Sequence, residues 1–423
     1  MRFEAAKRLH GSLTPPPDKS ISHRAALIAA MSEGESVISN YLRSHDTQST
    51  LDAVRRLGAE VADNGDVLRV RGAGLRGAQP ADIDVGNAGT LLRLLPGWLA
   101  GQREGSWTLD GDESIRRRPV DRVAAPLLAM GGRLECRDGR LPPLRVDAAH
   151  LHGIRYELPV ASAQVKSCVL LAGLVAEGET TVVEGAPTRD HTERMLAAAG
   201  VEVEANSGEV TVRPPERLVA GETEVPGDIS SAAFFIAAAT LVADSEIRLT
   251  GVGVNPTRTG LLDVMARMGA KVAVESEHAS GGEAVADLVA AQAPLRAITV
   301  GASEVPLLID ELPLVALLGV FAEGETVVTG AEELRHKESD RIATVTEGLA
   351  GLGADIEARP DGFAVRGTGE LRGGTLDAVG DHRLAMLGAV AGLASREGVE
   401  VLGFDAADVS YPGFAGDLAN VSG

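Results

Sequence analysis

Large aromatic rings are scarce in this chain: Phe, Tyr and Trp make up 3% of its 423 residues. A core without them packs its elements closely with Ala, Val and Leu, and 50 glycines favour that approach. Cysteine is nearly absent. Cys136 and Cys168 stand in unrelated contexts, which excludes a disulfide scaffold or a thiolate metal cluster and fits a reducing cytoplasm. Cations are outnumbered, 40 Lys and Arg against 60 Asp and Glu, for a net charge of −20. That balance disfavours a broad basic surface for nucleic acid or anionic membrane, and it makes each local cluster of cations informative. No apolar run is long enough to cross a bilayer, and the start "MRFEAAKRLHGSLT" has no apolar signal core. The expectation is a soluble cytoplasmic protein of two domains.

What the chain does have is an internal repeat. Polar residues, an Ala/Leu-rich helix, a Gly-containing turn and a β-branched strand recur from Asp18, Gly86, Ala161, Gly227, Ile309 and Gly380. The spacing is roughly 70 residues, right for a compact multi-element unit. Between the copies lies an amphipathic helix that ends in Gly, followed by a strand, as in "TLDAVRRLGAEV", "HTERMLAAAGVEVE" and "TGLLDVMARMGAKVAV". A further strand such as "VLRVRG", "EVTVRP" or "FAVRG" often follows. Alternation of helical and strand periods makes the fold α/β. The last copy stops after "YPGFAGDLAN" without closing strands, while "RFEAAKRL" is an orphan strand at the other end. The N-terminus is expected to complete the last unit.

Cations and hydroxyls gather where the Ala/Leu-rich helices start, at the end that offers unpaired N–H groups and the positive pole of the dipole. Lys19, Ser20 and Arg24 open the first, with Asp18 as an ordinary cap, and "GNAGT" around Gly89 opens the second, followed by Arg93. Arg116, Arg117 and Arg118 precede Pro119; Ser162, Gln164 and Lys166 begin the third helix; Arg189 stands beside Asp190 and His191. Lys337 and Arg341 are four apart with Glu338 between them, a spacing that would put both on one helix face. Asp310 and Glu311 interrupt an apolar stretch, where a buried carboxylate is costly unless used, and Asp381, His382 and Arg383 open the sixth helix. Taken singly, each cluster reads as capping or a solvated turn. Their recurrence at equivalent points of a repeated unit indicates converging anion sites.

The ordered set "DKSISHR", "GNAGT", "RRRP", "ASAQVKS", "TRDHTERM", "IDELP", "LRHKESDRI" and "GDHRLAM" resembles the 5-enolpyruvylshikimate-3-phosphate synthase family. The resemblance implies two similar domains, each of three βαβαββ units around a pseudo-threefold axis (an enolpyruvyl transferase-like inverse α/β barrel), facing each other across a cleft. It implies transfer of the enolpyruvyl group of phosphoenolpyruvate to the 5-hydroxyl of shikimate 3-phosphate, with phosphate released, on the route to chorismate. Shikimate 3-phosphate would meet Lys19, Ser20, Arg24, Ser162, Ala163 (through its backbone), Gln164, Arg189, Asp310 and Lys337. Phosphoenolpyruvate would meet Lys19, Gly89, Arg118, Gln164, Arg341 and Arg383, where arginines can fork onto carboxylate and phosphate oxygens. Asp310 would serve as base at the 5-hydroxyl, with Glu338 and Lys19 handling protons at the methylene and the departing phosphate. The family's inhibitor glyphosate would occupy the phosphoenolpyruvate subsite beside Gly89.

No metal and no organic cofactor is expected. The implied partners are the two small substrates alone, with no nucleic acid or membrane, and the implied state is a monomer. Residues 1-16 and 228-423 would form a discontinuous domain carrying the phosphoenolpyruvate side. Residues 17-227 would form an inserted domain carrying the shikimate 3-phosphate side, with the crossings at "TPPPD" and "EVPGD". Where some relatives carry Lys before the final aromatic-Pro, this chain has Val409. Two other readings stay open. A UDP-N-acetylglucosamine enolpyruvyltransferase shares the fold, but its loop Cys corresponds here to Glu113; a noncatalytic phosphate-binding relative would have little use for Asp310 and Glu338.

Overall fold

The computed structural model describes residues 1–206 and 208–422. The chain divides into two compact units, Met1–Pro16 with Pro226–Ala279 and Ala284–Gly423, and Pro17–Val225 with Ser280–Glu283. Two details differ from the expected boundaries. Pro226 and Gly227 belong to the first unit because Gly227 exchanges backbone hydrogen bonds with Gly251 and Gly253, each 2.8 Å. The turn at 280–283 is grouped with the second unit, where Arg194 donates to the Gly282 carbonyl and Ser280 to Glu224.

The second unit holds three four-stranded sheets of one design. In the first, Glu222–Glu224 runs parallel to Glu35–Ser39, which pairs antiparallel with Val67–Arg71, which pairs with Glu60–Asp63. The sheets starting at Asp82–Asp84 and at Arg155–Glu157 repeat that order. Each has a central helix inside: α1 (Lys19–Met31), α2 (Gly89–Ala100) and α3 (Ala163–Gly173). From the second turn onward these helices are buried almost all round, and their Ala, Leu and Val residues form the unit's core.

The first unit repeats the design around α4 (Ile229–Leu241) and α5 (Leu312–Phe321) with four-stranded sheets, and around α6 (His382–Ala394) with a three-stranded one. Its third sheet is completed by the other end of the chain: Arg2–Phe3 pairs antiparallel with Val399–Leu402, through Arg2↔Glu400 and Phe3↔Val399. The scarce aromatics concentrate beside this junction. Phe3, Phe234, Phe235, Phe404, Tyr411 and Phe414 form one chain of ring contacts with centroids 4.9–6.4 Å apart.

The outer amphipathic helices end as their sequences indicate. Gly58, Gly131, Gly200, Gly269 and Gly353 follow five of them with φ between 83° and 103°, a conformation that costs a side chain with Cβ about 1 kcal/mol or more. Among the described residues no helix is long and apolar enough to cross a membrane.

Candidate active site

In the second unit the polar groups collect at the starts of α1, α2 and α3. Asp18 accepts from the Ile21 N–H at 2.8 Å and Ser162 from the Val165 N–H at 3.4 Å, so both helices begin on a capped turn. Capping satisfies one orphan N–H at each start and leaves the positive end of the dipole directed outward. Lys19 donates to Asp46 at 3.0 Å. Arg24, 3% exposed, is held at all three nitrogens: Nη1 to the Ser20 carbonyl at 2.9 Å, Nη2 to Ser167 at 2.9 Å and Nε to Thr192 at 2.7 Å. A guanidinium so fixed presents its charge in one direction.

Gln164 joins α3 to α2, accepting from Arg93 at 3.1 Å and donating to Thr90 at 3.1 Å. Arg118 donates to Asn87 at 3.1 Å and Ser114 at 3.2 Å, which brings it over the start of α2. Gly89 lies beneath it. A Cβ built there would stand 2.8 Å from Arg118 Nη1 and 3.2 Å from Arg93 Nη1, so only hydrogen fits without displacing a guanidinium. Ala163 is the first residue of α3, and half-buried Arg189 stands in the turn before helix His191–Ala198. Lys166 has a structural role: it is 1% exposed between Glu184 at 2.9 Å and Glu193 at 2.7 Å.

In the first unit the cations are matched by carboxylates. Arg341, 1% exposed, donates to Asp381 at 2.8 and 3.2 Å, to Glu338 at 2.7 Å and to Asp310 at 3.4 Å. Lys337 reaches the same Asp310 oxygen at 3.2 Å. Burial alone would pull the Arg341 pKa down, but Asp381, Glu338 and Asp310 outweigh it and hold the pKa above the ordinary value. Burial pushes the Asp381 carboxyl up, and Arg341 overcomes this to keep it below the usual carboxylate range. Asp381 also accepts from the Arg383 N–H at 2.9 Å, the capping bond that starts α6.

The reason Lys337 and Arg341 meet is not the one their spacing suggested. Lys337 follows the 3₁₀ turn Glu332–His336 in extended conformation, and the helix begins only at Arg341. They converge because both donate to Asp310, 27 and 31 residues away. Two contributors lie outside the residues that the sequence pattern singled out. Asp46, the partner of Lys19, lies in an ordinary amphipathic helix, His45–Arg56. Ser230 closes on Glu311 from the start of α4, 81 residues distant.

A family model described as EPSP synthase (3-phosphoshikimate 1-carboxyvinyltransferase) matches residues 3–418. The chain belongs to the EPSP synthase family. It is 51% identical to a 3-phosphoshikimate 1-carboxyvinyltransferase of Gloeobacter violaceus over 98% of this chain and 97% of the relative. A protein of the same name from Salinibacter ruber is 47% identical over 99% of both chains. Among solved structures, EPSP synthase of Acinetobacter baumannii superposes with a TM-score of 0.88 at 39% identity, covering 100% of this chain and 97% of that one. The fold is that of the family, the enolpyruvyl transferase-like inverse α/β barrel.

Proposed function

We propose that this chain transfers the enolpyruvyl group of phosphoenolpyruvate to the 5-hydroxyl of shikimate 3-phosphate, giving 5-enolpyruvylshikimate 3-phosphate and phosphate. The observation that carries the reading is the Asp310 carboxylate held between Lys337 at 3.2 Å and Arg341 at 3.4 Å, with Glu338 on the same guanidinium. A site that only bound anions would gain from losing both acids; proton chemistry requires them.

Asp310 takes the 5-hydroxyl proton as that oxygen bonds to C2 of phosphoenolpyruvate, while a proton from Glu338 or Lys19 reaches the methylene. The tetrahedral adduct then expels phosphate and gives up a methyl proton, restoring the enol ether. Lys19, Gly89, Arg118, Gln164, Arg341 and Arg383 hold phosphoenolpyruvate. Lys19, Ser20, Arg24, Ser162, Ala163, Gln164, Arg189, Asp310 and Lys337 hold shikimate 3-phosphate. The unit of residues 17–225 carries most of the groups proposed for shikimate 3-phosphate, together with Lys19, Gly89, Arg118 and Gln164 for phosphoenolpyruvate, and the unit bearing both termini carries Asp310, Lys337, Arg341 and Arg383. The protein acts in the cytoplasm as a monomer on these two small molecules, in keeping with its free thiols Cys136 and Cys168.

Phosphate release with both substrates present tests the reading. Release that requires shikimate 3-phosphate, with UDP-N-acetylglucosamine inactive in its place, is the expected result. Dependence on the nucleotide sugar, or no release with either, would overturn it.

A further inference from the structure

Glu311 follows Asp310 in sequence and is 2% exposed. It occupies the cap position of α5 yet makes no capping bond with its side chain. Instead, one carboxylate oxygen accepts from Ser230 at the start of α4 and from Arg383 Nη1, at 3.3 Å, at the start of α6. Ser230 in turn accepts from Arg258 at 2.6 Å, and Arg258 reaches the α4 cap Asp228 at 3.3 Å. A buried polar chain thus links the starts of all three central helices of this unit, with Glu311 at its middle.

A buried carboxylate in a site for anionic ligands opposes binding by its charge and is costly to desolvate. What it supplies here is direction. It engages one N–H of a fork that carries five, so it fixes the guanidinium without consuming its capacity for a planar acceptor. We propose that Glu311 is a positioning residue that sets how Arg383 meets phosphoenolpyruvate and thereby controls affinity for that substrate alone. The inference rests on the assignment of Arg383 to phosphoenolpyruvate.

Steady-state kinetics on four full-length variants test it. E311L should raise KM for phosphoenolpyruvate about tenfold or more, with kcat within about threefold and KM for shikimate 3-phosphate within about twofold. E311Q, which keeps an oxygen for Arg383, should bring KM back to within about threefold of the parent. S230A removes the anchor of Glu311 and should raise the same KM severalfold; it carries the test if E311L does not fold. Unchanged KM for phosphoenolpyruvate in folded E311L or S230A, or equal rises for both substrates, would overturn the proposal. So would E311Q as impaired as E311L, which would mean that the charge itself is needed. R383Q separates the two readings. If it raises KM for phosphoenolpyruvate and E311L does not, the positioning role alone falls; if it leaves that KM unchanged, the substrate assignment falls and the positioning role with it.

Discussion

Asp310 is the residue whose charge is hardest to explain by structure alone, since Lys337 and Arg341 would serve an anion better without it. As a base it should be replaceable for binding but not for turnover. Asp310→Asn is expected to leave ternary binding in place by calorimetry and to slow kcat by roughly two to four orders of magnitude. Lost binding with normal turnover at saturation would refute the role. Gly89 makes a different prediction, a steric one. The methyl of Gly89→Ala meets Arg118 Nη1 at 2.8 Å, and Arg118 is itself held by Asn87 and Ser114. Inhibition by glyphosate competing with phosphoenolpyruvate should weaken in the variant; equal inhibition constants for the two proteins would remove Gly89 from that subsite. His23 makes a third. It is fully buried in α1 with Nδ1 2.6 Å from Thr50, and burial pushes its pKa down to about 3, with Lys19 and Arg24 adding to the effect against Asp46. Because the folded pKa lies below the unfolded value of 6.5, the unfolded chain binds the extra proton between those limits. Stability from this group is therefore whole above pH 6.5 and is lost progressively as pH falls toward 3. Denaturant melts from pH 7 to 5 should show a shallower decline for His23→Gln than for the parent.

At the scale of elements, the approach of α2 to α3 is set by a missing side chain. A Cβ on Gly97 would lie 2.2 Å from the Cys168 carbonyl oxygen, well inside van der Waals contact with backbone that cannot step aside. Alanine in a helix interior ordinarily gains about 1 kcal/mol over glycine. Here the sign should reverse: Gly97→Ala is expected to lose about 1–3 kcal/mol by forcing the two helices apart, read from chemical denaturation. A stabilised Gly97→Ala would show that the helices are not held this close. The buried thiol of Cys168 belongs to the same contact. Burial pushes its pKa up to about 12, which keeps it protonated and unreactive.

At the scale of the whole molecule, one sheet design is used again and again, and its last copy borrows the strand Arg2–Phe3 from the opposite terminus. The proposed shikimate 3-phosphate contacts fall in both units, at Lys19–Arg24 and 162–164 in one and at Asp310 and Lys337 in the other. Hydrogen exchange with saturating shikimate 3-phosphate is expected to slow amides at the starts of α1 and α3 and also across 337–341. Protection confined to one unit would assign the cations of the other a different duty.

The repeat, the helix starts and the glycine stops were legible because they are local: a 3.6-residue apolar period, a capping Asp or Ser and a left-handed Gly are each written within a few residues. The recurrence of polar residues at the starts of central helices was legible for the same reason, and so was the family. What tertiary structure alone decided is which charges meet. Lys19 with Asp46, Lys337 and Arg341 on Asp310, and Ser230 with Arg383 on Glu311 are pairs set by how separate helices and loops pack, tens of residues apart. A spacing of four between Lys337 and Arg341 suggested a shared helix face, yet Lys337 is extended and the helix begins only at Arg341, and a distant carboxylate draws the two cations together. Local pattern determines where a charge can stand; desolvation in the packed interior determines which opposite charge must stand beside it.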